Sequence, residues 1–246
     1  MQYLFMADLM SNFIALESAY IQAQSKWGSD FKLLIVGNIF GYCMQPVECI
    51  EFLLENKAII IGGRNEFALK DKGFPLSGSV CYRKMIDHTN DALRKAGLLS
   101  EIDRFITEYT NESLTVSFSL FDNNGIELCV RPDFLTSFSH LNSSEATSKT
   151  LTVVNGNGFS WFYQDSDSGK IVDNLNFTLD PANKKTVIGL GSIGMPKDEN
   201  PMSSILFFGK SFEFVRFSYP INLVQDNMKK FNFIDKSIID RMPLGI

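Results

Sequence analysis

Three short apolar runs open the chain, spaced so that one helix fits between each pair, and this spacing constrains the fold more than any other feature. Tyr3–Ala7, Phe31–Val36 and Ala58–Ile61 read as buried strands. Between the first two, Phe13–Ser25 repeats apolar residues at helical spacing (Phe13, Leu16, Ala19, Tyr20, Ala23). Between the second and third, Pro46–Glu55 has proline near its first turn and an apolar face of Val47, Ile50, Leu53 and Leu54. Strands joined by connections this long, each containing a helix, pair in parallel through crossovers. Asp8–Asn12, Gly37–Gly41 and Gly62–Gly63 are then the loops at the carboxyl ends of the strands.

Further along, Met85–Ala96 and Glu101–Glu108 are expected helices separated by Gly97. From residue 114 the period moves toward two. Expected strands are Leu114–Phe121, Ile126–Val130, Thr150–Asn155, Ser160–Gln164, Leu175–Leu179, Lys185–Ile188, Ser204–Phe208 and Phe212–Ser218. Ser137–Ser148 reads as a polar surface loop, and the tail from Leu223 to Met242 is helical again. No linker or internal repeat divides the 246 residues, which are expected to form a single domain, 1–246. A chain of this length buries roughly 70–75% of its unfolded surface and needs no staple.

Charge and cysteine narrow the function classes. With 28 acidic against 23 basic residues and no basic stripe, neither nucleic acid nor a membrane surface is an expected partner. Cys43, Cys49, Cys81 and Cys129 lack Cys-x-x-Cys spacing and read as reduced thiols of a cytoplasmic protein. The apolar start, interrupted by Asp8 and preceded by no basic residue, reads as a strand rather than a signal peptide, and no apolar run approaches 18 residues.

Four segments carry a resemblance. Asp8-Leu-Met-Ser-Asn12 looks like an Asp-x-His-Ser-Asn motif, and Gly37-Asn-Ile-Phe-Gly-Tyr42 like Gly-Asp-x-x-Gly-Tyr. Gly62-Gly-Arg-Asn-Glu-Phe-Ala-Leu69 is similar to a Gly-Asn-His-Asp segment with its continuation. Gly191-Ser-Ile-Gly-Met-Pro-Lys-Asp198 is similar to Gly-Ser-Val-Gly-x-Pro-Arg-Asp. In this order the chain resembles, over nearly its full length, the calcineurin-like metallophosphoesterases, in particular their small phosphodiesterase-like bacterial and archaeal branch. The resemblance implies a four-layer α-β-β-α sandwich, two mixed sheets flanked by helices. It also implies a two-metal phosphoesterase site, for which this chain lacks most ligands.

Of the first motif Asp8 is present, but Met10 stands where the histidine ligand should be; Asn12 closes the motif. Asn38 holds the place of the bridging aspartate, Gly63 that of the asparagine ligand, and Arg64 that of the leaving-group histidine. A one-residue slip would instead bring Asn65 to a ligand position with Glu66 beside it. The later His-Gly and Gly-His-x-His motifs fall at Arg131-Pro132 and Asn155-Gly-Asn-Gly158, where Asn155 and Asn157 supply no imidazole. Asparagine offers a neutral carbonyl oxygen and two amide hydrogens where a bridging aspartate offers two charged oxygens. Two ions about 3.5–4 Å apart need the charge.

Histidine supply points the same way without any family: only His88 and His140 exist, and neither sits in zinc-site spacing. No cofactor is expected, and no metal beyond weak oxygen ligation by Asp8, Asn38 and Asn65. Arg64, Arg131 and Lys197 are candidates to line a metal-free pocket for a phosphate-bearing small molecule. Gly189-x-Gly191-x-x-Gly194 runs into Pro196 rather than a helix, so it is read as tight turns and not a nucleotide fingerprint. The aromatic run Phe159–Tyr163 is read as buried on both strand faces, with Trp161 and Tyr163 as alternative anchors for a protein partner or a second copy. The reading that results is a non-catalytic binding, regulatory or scaffolding protein on a phosphoesterase-like framework. The alternatives are a divergent metal-dependent phosphodiesterase or phosphatase using Asp8, Asn38, Asn65 and Asn157, and a structural subunit of an oligomer.

Overall fold

A computed structural model of the chain describes residues 1–70, 79–121, 127–128, 151–164, 170–171, 177–179 and 186–246. The strands are β1 (Tyr3–Ala7), β2 (Lys32–Val36), β3 (Ile59–Ile61), β4 (Glu108–Thr110), β5 (Leu114–Ser117), β6 (Leu120–Phe121) and β7 (Glu127–Leu128). They continue with β8 (Leu151–Gly158), β9 (Trp161–Gln164), β10 (Lys170–Ile171), β11 (Phe177–Leu179), β12 (Thr186–Gly191), β13 (Ser203–Phe208) and β14 (Phe212–Phe217). Helices are α1 (Phe13–Trp27), α2 (Pro46–Glu55), α3 (Arg64–Lys70), α4 (Val80–Lys95), α5 (Ile221–Met228) and α6 (Lys236–Arg241).

Twelve of the strands form two six-stranded mixed sheets flanked by helices, the α/β class expected. The first runs β11-β14-β13-β1-β2-β3, with β1, β2 and β3 parallel as the crossovers require. The second runs β10-β9-β12-β8-β5-β4, with β12, β8 and β5 parallel. Register aligns the strand ends of the first sheet. Ala7 lies beside Val36, and Val36 beside Ile61, so the first three strands end level. Their loops therefore emerge side by side.

Alternation sorts the first sheet's residues between two cores. Leu4, Met6, Leu33, Ile35 and Ile60 face helices, meeting Leu16, Ala19 and Ala23 of α1, Ile50 and Leu53 of α2, and Val224 and Met228 of α5. Phe5, Ala7, Leu34, Val36 and Ile61 face the second sheet, meeting Leu114, Val116, Leu151, Val153, Ile188 and Leu190. A strand buried on both faces reads as a continuous apolar run, which is why β1 and β2 were visible in the sequence. The sheets touch at their carboxyl ends, where Ala7 bridges Ser192 in parallel and the Ile193 N–H donates to Ala7 O at 2.9 Å.

Several boundaries differ from the sequence expectation. Glu101–Glu108 is not a helix: residues Leu99–Arg104 form a 3-10 turn, Phe105 is extended, and β4 comes next. Asn111 accepts from the Ser113 and Leu114 N–H groups and turns β4 back onto β5. α4 starts five residues early, at Val80, because Ser79 caps it by accepting from the Tyr82 N–H at 3.2 Å. α1 runs past Ser25 to Gly28, whose φ of +64° ends it. The run Leu114–Phe121 is two strands, and the tail is two helices separated by a turn.

Trp161 and Tyr163 are buried, at 1% and 5% exposure, and so are not anchors for a partner; Phe162 is buried between the sheets. Cys43, Cys49 and Cys81 are free and buried. His88 packs edge-on against Phe231 with ring centroids 4.8 Å apart, and burial lowers its pKa. Arg131, His140, Cys129 and the Ser137–Ser148 loop lie outside the described residues. Among the described residues no helix is long and apolar enough to cross a membrane.

Candidate ligand site at the strand ends

The loops after β1 and β2 converge with the carboxyl end of β8, and they do so in backbone conformations that most L-residues avoid. Asp8 (φ +51°), Met10 (+56°), Ser11 (+59°), Asn38 (+48°) and Asn157 (+56°) are all left-handed without being glycine. Such strain costs about 1–2 kcal/mol per residue and gathers at sites that the surrounding structure over-determines. What holds it here is a lattice of hydrogen bonds between loops, made by backbone groups and the Ser11 hydroxyl. The Met10 N–H donates to Asn38 O at 2.9 Å, the Ser11 N–H to Ile39 O at 2.6 Å, and the Gly41 N–H to Ser11 Oγ at 3.0 Å.

Asp8 is the acid at the centre, 5% exposed. Its Oδ1 accepts two amide hydrogens, from Asn155 Nδ2 at 2.7 Å and from Asn38 Nδ2 at 2.8 Å. Asn155 also donates to Val36 O and accepts the Asn157 N–H through its own Oδ1, which fixes its orientation. The side-chain oxygen of Asn38, Oδ1, is buried with no hydrogen-bond partner among the described residues. Desolvation raises the Asp8 pKa, and the two amides and the Lys197 charge pull it back. Lys197 is exposed, and its Cβ lies over Gly158 on the rim.

A second buried acid was not singled out from the sequence as a site residue. Glu66, 1% exposed, accepts the Gly63 N–H at 2.8 Å and the Asn38 N–H at 2.9 Å on Oε2, and the Phe40 N–H at 3.1 Å on Oε1. Its third-position reach back to the residue before α3 is half of a capping box, and Gly63-x-x-Glu66 was the available signal. The other bonds tie the β3 loop to the β2 loop. Burial raises its pKa against the pull of these backbone donors.

Packing beneath these loops is close. A Cβ on Gly63 would stand 2.7 Å from Asn38 N, 2.7 Å from Gly37 Cα and 2.8 Å from Phe118 Cε2. The Phe118 ring, delivered just after β5, lies against Gly37 as well. Phe118 carried no motif and was invisible in the sequence.

The other sequence candidates take separate places around this centre. Asn12 is fully buried and structural: Oδ1 accepts the Ala15 N–H to cap α1, and Nδ2 donates to Gly194 O at 2.9 Å. Asn65 points away from Asp8, donating to Phe40 O at 2.6 Å and accepting from the Tyr82 hydroxyl at 2.9 Å. Met10 is half-buried against Gly41 and the helix-side core. Arg64 is exposed at the start of α3, and Asn157 is exposed after Asn155. Ser192 donates to Asp8 O and accepts the Met195 N–H, joining the second sheet to the Asp8 loop.

A pair of divalent ions does not fit this set of residues. Two amide NH2 groups aim hydrogens at the Asp8 carboxylate, the Glu66 carboxylate is taken up by three backbone N–H groups, Asn65 is bonded elsewhere, and position 63 has neither a side chain nor room for one. Among the described residues no three His, Cys, Asp or Glu side chains gather where they could hold an ion.

No family model matches the sequence, and no curated protein matches it. Solved structures do match. The chain superposes on a metallophosphoesterase from Sphaerobacter thermophilus with a TM-score of 0.79 at 20% identity, covering all of both chains. It also superposes on a hypothetical protein from Pyrococcus horikoshii OT3 with a TM-score of 0.77 at 14% identity, covering all of this chain and 98% of that one. The fold is therefore that of the metallophosphoesterases.

Proposed function

We propose that this protein is a non-catalytic relative of metallophosphoesterases, a cytoplasmic single-domain protein that acts by binding, in a regulatory or scaffolding role. The observation that supports this most is the state of Asp8. Its carboxylate oxygen is engaged by two amide hydrogens from Asn38 and Asn155, at 2.8 and 2.7 Å, where a metal centre would present oxygen or imidazole ligands to shared cations. The exposed Lys197, whose charge reaches Asp8, is a point charge suited to a phosphate-bearing small molecule.

One observation favours a second reading, a divergent phosphoesterase that ligates metal weakly. Asn38 Oδ1, which has no hydrogen-bond partner among the described residues, belongs to the side chain bonded to Asp8 and is an oxygen suited to ligate a cation.

The deciding experiment purifies the chain without chelator, incubates it with Mn²⁺, and measures bound metal together with hydrolysis of bis(p-nitrophenyl) phosphate. Fewer than two tight ions and no turnover above the blank are expected. Two tight ions with turnover abolished by Asp8→Ala would overturn the non-catalytic reading. Binding of inorganic phosphate that weakens in Lys197→Ala would identify the ligand chemistry.

A further inference from the structure

A ligand lost by substitution alone can be regained by one reversion, unless the surroundings have closed behind it. We propose that the hollow between the ends of β2 and β3 is closed to any side chain at position 63, so that Gly63 is glycine because packing requires it. This deepens the non-catalytic reading and rests on it.

The geometry supplies two barriers of different kinds. The first is backbone: a Cβ at position 63 would meet Asn38 N and Gly37 Cα, each at 2.7 Å, and neither atom can swing aside. Their approach is fixed by one carboxylate oxygen, because Glu66 Oε2 binds the N–H groups of both Asn38 and Gly63. The Gly37 N–H is also tied to Ile61 O at 2.8 Å, and Gly37 O accepts the Asp8 N–H. The second barrier is aromatic. The half-buried Phe118 ring covers both glycines: it stands 2.8 Å from the Cβ position of residue 63 and closer still to that of residue 37. Gly37 also has a φ of +67°, so a side chain there is excluded by conformation as well. Glu66 and Phe118 are thus positioning residues, one drawing the loops together and the other filling the space above them.

The closure predicts that restoring charge does not restore a two-ion centre. The test measures Mn²⁺ stoichiometry and melting temperature for Asn38→Asp, Gly63→Ala, Phe118→Ala, the Gly63→Ala/Phe118→Ala pair and the Asn38→Asp/Gly63→Asn pair. Asn38→Asp, nearly isosteric, is expected to fold and to hold no more than one ion per chain. Gly63→Ala adds only a Cβ and is expected to melt about 3–10 °C lower, the range for overpacking in a domain of this size. Combined with Phe118→Ala, its loss is expected to be smaller than the sum of the two single losses, because one of the obstructing groups is gone.

A Gly63→Ala variant melting within about 1 °C of the parent would overturn the closure, and so would two ions per chain in the Asn38→Asp/Gly63→Asn protein. Strict additivity of Gly63→Ala and Phe118→Ala would remove Phe118 from it. Two ions in the unmodified protein would instead sink the non-catalytic reading, and the Gly63→Ala melt still judges the closure separately.

Discussion

Removing Glu66 tests how much of the site is held by one buried carboxylate. Glu66→Ala takes the acceptor from three backbone N–H groups, those of Gly63, Asn38 and Phe40, in a place 1% exposed. Each buried donor left unsatisfied costs about 1–3 kcal/mol. The loss is partly offset because the mutation also removes a desolvated charge, the leading cause of the raised Glu66 pKa. A net destabilisation of about 3–5 kcal/mol results, a fall in melting temperature on the order of 10 °C for a chain of this length. Glu66→Gln keeps the volume and one oxygen and should lose about half as much. Urea denaturation monitored by circular dichroism gives the free energy, and the ¹³C shift of the Asp8 carboxyl gives the local effect. Without the Glu66 bond Asn38 is freer to turn its amide away, so the Asp8 pKa should rise further. A loss below about 1 kcal/mol with an unmoved Asp8 titration would refute the staple, since the freed N–H groups would have found other acceptors.

The same geometry fixes three further outcomes. Asp8→Asn keeps an acceptor for the amides of Asn38 and Asn155 and should change stability by less than about 1 kcal/mol, whereas Asp8→Ala strands both donors and should cost about 2–4 kcal/mol in the same assay. Asp8 and Glu66 both have folded pKa values above their ordinary ones, so the folded state holds those protons more tightly. Their contribution is then fully present below about pH 4 and lost as pH rises through the folded values, and Asp8→Asn should flatten that part of the stability profile; an unchanged slope would contradict the assignment. The buried Arg216–Asp198 pair anchors the turn carrying Lys197, so Arg216→Ala should cost about 3–5 kcal/mol by leaving Asp198 buried without its partner, while a loss below about 1 kcal/mol would show the pair to be dispensable.

The fold was legible where physics leaves a one-dimensional trace. β1 and α2 matched residue for residue, because a doubly buried strand is a continuous apolar run and Pro46 marks the first turn of a helix. The helix expected at Glu101–Glu108 failed because two strongly constrained neighbours, an extended Phe105 and the Asn111 turn, overrode a weak local pattern. α3 was missed because seven residues are too few for periodicity to speak. At the site, Asp8, Asn38 and Asn155 were nameable from loop order and resemblance, and they are joined in space by hydrogen bonds. Phe118 was not, since only the tertiary structure brings the end of β5 over Gly37 and Gly63. Glu66 lay between: its capping spacing was visible, but its reach to Asn38 and Phe40 depends on β2 and β3 ending level.

The bond between Asp8 and Asn155 has a consequence for how the molecule comes together. It joins residues 147 apart in sequence, one at the end of β1 in the first sheet and the other in β8 of the second. Contacts of such separation form late, after the loop-closure entropy has been overcome. The first sheet cannot be completed from the amino-terminal half either, since β13 and β14 arrive after the second sheet's β12. The candidate site is therefore a record of docking between the two halves, and its signals should be the last to reach native values in a refolding time course. A chain cut between Asn38 and Asn155 would carry Asp8 and Asn38 without the amide from the second sheet that joins them.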